Sequence, residues 1–185
     1  LVLMVLASMI VVSAEPVSAA QVEEMPELCP CGCGEDLKDI QWKEWDPNNV
    51  KQTLGGHFYL SDNYVQEKQF DISEGRSYVL DLQGYELSTA DYSRLFLCNG
   101  YLAVLDSVGG GKMCSKTAGN GFGGVLLMQT AKATFELYGG TVTVDADNKG
   151  SRRGGLISVG SGSTFNMYGG TLLGGSSMGT KNEEG

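Results

Sequence analysis

The chain has 185 residues, a net charge of −9 and 42% hydrophobic residues. Such an acidic balance argues against nucleic acid and against an anionic membrane surface as partners. Its length suffices for one domain with a continuous core.

Residues 1 to 12 read LVLMVLASMIVV and are followed by small-residue cleavage sites, Val17-Ser18-Ala19 and Ser18-Ala19-Ala20. We read residues 1–20 as a secretory signal peptide truncated at its start, too short to span a bilayer in the mature chain. The expected location is therefore secreted or at the cell surface. The other end, Lys181 to Gly185, stops in or just after a repeat. An open end of stacked strands needs a cover, so further sequence is expected beyond it.

Residues 21–52 form an expected lead-in that caps the first coil of the strand-rich region. It holds Cys29, Cys31 and Cys33, then Trp42 and Trp45. Three thiolates this close suit Zn²⁺, with a fourth ligand from His57, Asp36 or another cysteine. Zinc sites usually use C-x₂-C spacing, and this run is C-x-C-x-C. The competing reading is disulfide chemistry in an exported protein, with Cys98 and Cys114 as one candidate pair.

From residue 53 onward the pattern is strand and glycine. Thr134–Thr143 reads TFELYGGTVT and Thr164–Leu173 reads TFNMYGGTLL, six identities in ten at a spacing of thirty. Phe135 and Leu137 alternate with Glu136 and Tyr138, which is the period of a strand. Apolar runs at Val125–Met128 and Leu156–Val159 precede each copy. One period thus holds three short strands joined by glycine turns. Twenty-one of the 27 glycines follow residue 99 and all four prolines precede it, as a ladder of strands requires. The expected fold is an all-β, right-handed single-stranded parallel β-helix over 53–185, a solenoid of about thirty residues per coil.

Three further stretches come in a telling order: Gly55-Gly56-His57-Phe58-Tyr59-Leu60-Ser61-Asp62, Tyr78-Val79-Leu80-Asp81-Leu82-Gln83-Gly84-Tyr85-Glu86-Leu87, and Gly100-Tyr101-Leu102-Ala103-Val104-Leu105-Asp106-Ser107. The order resembles a family of secreted right-handed β-helix repeat proteins of anaerobic, largely Gram-positive gut bacteria. Their first coils look like GG-x-YYLT-x-D, V-x-LDL-x-GH-x-L and GG-x-L-x-I-x-DS. Members often carry a Cys-rich segment and a W-x-x-W element, matched here by Cys29, Cys31, Cys33, Trp42 and Trp45. The resemblance covers roughly residues 29–180, and Tyr85 departs from the family's His. It implies fold and export rather than chemistry.

Several constellations bear on function. Tyr138 and Tyr168 stand one coil apart on an outer face, with Glu136 and Asn166 beside them. Aromatic faces with polar neighbours grip sugars, so these four form a candidate glycan site; the plainer reading is stacking that stabilises the turn. Asp145, Asp147 and Asn148 form a candidate Ca²⁺ site. An EF-hand is excluded, because Lys149 takes a ligand position and Leu156 the twelfth. Gly119-x-Gly121-x-x-Gly124 lacks a following helix and is no dinucleotide site. Gly109-Gly110-Gly111-Lys112 lacks the Ser or Thr of a phosphate loop, and Asp106 stands where its first glycine belongs. With one histidine, no triad can be built. Asp145, Asp147, Arg152 and Arg153 leave room for a polysaccharide lyase. The expected role is a non-enzymatic module for adhesion or glycan contact, with extracellular polysaccharide or host glycan as partner. The alternatives are a polysaccharide-degrading enzyme and a passive stalk.

Overall fold

The computed structural model describes residues 25–46, 55–90, 94–115, 124–144 and 155–174. These residues form fifteen strands and one 3-10 turn, Leu37–Asp39. The strands are β1 Lys43–Glu44, β2 Gly55–Tyr59, β3 Tyr64–Gln66, β4 Phe70–Ile72, β5 Ser77–Asp81, β6 Glu86–Thr89, β7 Phe96–Cys98 and β8 Tyr101–Leu105. They continue with β9 Lys112–Ser115, β10 Leu126–Met128, β11 Thr134–Leu137, β12 Thr141–Val144, β13 Ile157–Val159, β14 Thr164–Met167 and β15 Thr171–Leu173.

Three sheets result, and every strand pair in them is parallel. Their orders are β1-β2-β5-β8-β11-β14, β3-β6-β9-β12-β15 and β4-β7-β10-β13. The chain visits the three in turn, so from β2 onward each strand pairs with the one three places later. The repeat seen in the sequence is the pairing itself: Thr134 faces Thr164 and Phe135 faces Phe165. The earlier steps are shorter than thirty residues. Gly55 pairs with Ser77 and Ser77 with Tyr101, steps of 22 and 24. The added length of later turns lies in the connection into the four-stranded sheet, which spans 67–69, then 90–95, 116–125 and 145–156.

Register stacks like on like inside. Phe58, Leu80, Val104, Leu137 and Met167 form one column of the six-stranded sheet, and Tyr78, Leu102, Phe135 and Phe165 another. Leu87, Met113, Val142 and Leu172 continue the core in the second sheet. Phe135, Leu137 and Val142 are buried, as their alternation predicts. Phe165 is half-buried, and Met167 and Leu172 are exposed, because among the described residues no later strand packs over β14 and β15.

The lead-in uses its two tryptophans oppositely. Trp45 turns inward and closes one end of the core, with ring centroids 5.4, 5.0 and 6.0 Å from Phe58, Phe70 and Phe96. Trp42 instead joins a second apolar cluster on the outer face of the six-stranded sheet. There Cys29 and Ile40 bury Val79, Ala103 and Leu105. The described part of the lead-in lies across a sheet face and leaves the middle of that sheet buried on both sides.

Corner geometry explains the aspartates that close β5 and β8. Asp81 accepts the Gln83 and Ser107 N–H groups at 3.1 and 3.0 Å and the Ser107 hydroxyl at 2.6 Å. Asp106 accepts N–H groups of Gly84 and Gly111 at 2.8 Å each. Of the amides that a phosphate loop would offer an anion, those of Gly109 and Gly111 are thus already taken by the chain's own carboxylate, and that of Lys112 by the Tyr85 carbonyl.

Candidate metal centre and the adjoining tyrosine–glutamate network

The thiols are gathered by a local hairpin. Leu28 and Asp36 form an antiparallel bridge. Around it the Cys29 N–H donates to the Glu35 carbonyl and the Leu37 N–H to the Glu27 carbonyl, both at 2.9 Å. Reversal within eleven residues needs backbone that L side chains rarely adopt, and Gly32 and Gly34 supply it at φ +77° and +80°. Alternate residues of the loop then point to one side, bringing Cys29, Cys31 and Cys33 together.

Strand β2 supplies the fourth group. His57 alternates with the core residue Phe58, so its ring faces outward toward the lead-in. Cys29 Sγ lies 2.9 Å from Cys31 Sγ and 3.1 Å from His57 Nε2, and Cys31 Sγ is 3.4 Å from that nitrogen. All four ligand atoms, Cys33 Sγ included, lie within 4.8 Å of one another. The group could hold a metal ion. Two thiolates on one tetrahedral zinc stand roughly 3.8 Å apart, from a bond of about 2.3 Å. Seating such an ion therefore opens the Cys29–Cys31 pair by somewhat under 1 Å.

The electrostatics are mixed. Burial, and then the neighbouring Cys31 thiol, push the Cys29 thiol above its ordinary range, and burial likewise raises Cys31. Cys33 is exposed and lowered, first by the backbone hydrogen bond at Glu35. Burial lowers His57, which favours the neutral imidazole a metal needs. Without a cation the buried thiols stay protonated; a divalent ion supplies the charge that makes them thiolates. Asp36, the alternative fourth ligand, is instead 3.2 Å from Lys38 Nζ.

The four residues of the candidate glycan site are also brought together, but largely to bind one another. Glu136 Oε2 accepts from the Tyr138 hydroxyl at 2.9 Å, and Glu136 Oε1 accepts from Asn166 Nδ2 at 3.1 Å. Tyr138 and Tyr168 stack with centroids 4.7 Å apart, and Tyr168 is 59% exposed. Tyr101 completes the network, a role the sequence pattern did not reveal. Its hydroxyl stands 2.7 Å from both Glu136 Oε2 and the Pro30 carbonyl oxygen, and donates to one of them at a time. The available signal was its outward position in β8, one sheet register before Thr134. This hydroxyl joins the tyrosine face to the cysteine loop.

Asp145, Asp147, Asn148, Arg152 and Arg153 lie outside the described residues, as do residues 1–24. Cys98 and Cys114 stand in different sheets, β7 and β9, and no disulfide joins them. Among the described residues no helix is long and apolar enough to cross a membrane. No protein-family model, curated protein or solved structure matches the chain.

Proposed function

We propose that Cys29, Cys31, Cys33 and His57 hold a zinc ion, and that this ion locks the lead-in onto a right-handed parallel β-helix serving as a non-catalytic extracellular scaffold. The observation that carries the reading is the convergence of three sulfurs and one imidazole nitrogen from two segments, with Cys29 and His57 separated by 28 positions. Soft thiolates with one imidazole suit zinc. Four protein ligands close the coordination shell, which is the arrangement of a structural site rather than a hydrolytic one. The helical winding is supported by three parallel sheets visited in turn and by the right-handedness of nearly all parallel crossovers. Export is supported by the apolar start of the sequence and by the resemblance of its coils to secreted repeat proteins.

The test is the metal content of protein made and purified without oxygen. One zinc per chain is expected to survive desalting. Cobalt in its place is expected to give sulfur-to-cobalt charge transfer and the intense visible bands of a tetrahedral ion. Absence of retained metal, or the pale spectrum of octahedral cobalt, would sink the proposal.

Glycan contact is a second reading favoured by one observation, the exposed Tyr168 ring braced on Tyr138. Flat aromatic faces accept the apolar side of a sugar. Retention on a glycan array should fall in Tyr168→Ala, and equal retention would remove the support for this reading.

A further inference from the structure

The lead-in and the corner of the six-stranded sheet enclose a second feature, a cleft of about 590 Å³. That is the size range of small-molecule sites. Met25, Leu37 and Trp42 give it an apolar lining, and Glu27, Asp36 and Asp81 bring three carboxylates to it. Its one ammonium, Lys38, is 3.2 Å from Asp36 and offsets that single charge. Among these described lining residues no other cation offsets Glu27 or Asp81; Asp81 is already engaged by the chain's own donors, and Glu27 is exposed.

We propose that this cleft binds a small organic cation: an amine or quaternary ammonium head on a short apolar body. Two of its groups are fixed in advance. Trp42 Nε1 donates to the Leu37 carbonyl at 3.3 Å, and the ring packs edge-on against His57 at 5.8 Å. Asp81 is buried, and its two oxygens are held by Gln83 and Ser107. An indole held in place and the exposed, unpaired Glu27 carboxylate lining one cleft are the chemistry that attracts alkylammonium ions. An anion would meet three carboxylates, and a neutral sugar would leave the excess charge unanswered. The site is separate from the tyrosine face and requires no metal for its recognition chemistry.

The probe is choline chloride, measured by equilibrium dialysis against the full chain, with 3,3-dimethylbutanol as its uncharged isostere. Saturable choline binding is expected, with the isostere weaker by about tenfold, as one cation–π contact near a carboxylate gives. Trp42→Leu should weaken choline by a similar factor. Glu27 lies exposed at the rim, so Glu27→Gln leaves the fold intact and should weaken choline severalfold, with added salt mimicking the loss. Equal binding of the isostere, no saturable binding of choline, or an unchanged affinity in Glu27→Gln would each overturn the proposal.

Discussion

The exposed ligand Cys33 offers the sharpest probe of the proposed metal clip. Cys33→Ser removes one thiolate and little packing, because the side chain is exposed. Without metal, the variant should melt with the wild type to within about 0.5 kcal/mol, as surface substitutions do. With zinc, the two should diverge. Cross-linking positions 28 apart removes loop-closure entropy worth about 3.6 kcal/mol on the chain-entropy relation. For a chain of this size that corresponds to a rise in Tm of about 7–14 °C. Calorimetry of both proteins, reduced, with saturating zinc and with chelator, gives the four numbers required. A wild-type shift below about 2 °C, or an equal shift in Cys33→Ser, would refute the reasoning, since the first denies the clip and the second denies Cys33 a place in it.

Other perturbations test the core and the network. Trp45→Ala should cost about 3–5 kcal/mol in chemical denaturation, because it empties the packed end of the core. Trp45→Phe should cost far less than that, since the buried Nε1–H has no hydrogen-bond partner among the described residues and its removal relieves a desolvation cost. Tyr101 and Tyr138 are held above the usual value of 10.0 first by burial and then by the Glu136 carboxylate. A raised folded-state pKa contributes stability that is present below about pH 10 and is lost as pH rises toward the folded value. Melting temperature should therefore fall between about pH 9.5 and 11, more steeply than in Tyr101→Phe; parallel curves would contradict this. At neutral pH, Glu136→Ala strips the acceptor from three donors and should cost about 1–3 kcal/mol by urea titration.

The later turns were legible because their repeat is also their register. TFELYGG pairs in step with TFNMYGG, so one alignment of the sequence with itself gave strands, spacing and facing residues. The early turns share no such text, and their length does not follow from the later ones. Their strands carry a different sign. Tyr78–Leu82 and Tyr101–Leu105 are nearly unbroken apolar runs, whereas TFEL and TFNM alternate. A strand buried on both faces loses its alternation. The run around Val79 and Ala103 thus announced a covered outer face, though not that the lead-in would cover it. The cysteines suggested a ligand cluster, with His57 one candidate for the fourth place beside Asp36 and another cysteine; their convergence required the hairpin and the outward side of β2. The polar face was harder. Glu136 and Asn166 were visible as neighbours one turn apart, but the claim of Tyr101 on that carboxylate depends on a register step of 33 residues that no repeat displays.

A physical reason for a metal comes from the same covered face. The lead-in gives that outer cluster two fully buried members, Cys29 and Ile40, with Met25, Cys31, Leu37 and Trp42 only partly buried against it. These contacts alone leave much of the segment's lost backbone entropy to be offset elsewhere. Hydrogen bonds around the hairpin and the inward anchor Trp45 close part of that gap. A bond between the loop of three cysteines and β2 closes more of it, at the point where the lead-in would otherwise peel from the sheet. Small segments that cannot build a sufficient core commonly need such a staple. In a chain exported as proposed, a bound zinc would also protect these thiols from conversion to disulfides. On the proposed reading, coordination would answer two needs of one segment, attachment and thiol survival, and the cleft lined by Trp42 of that same segment would depend on it too.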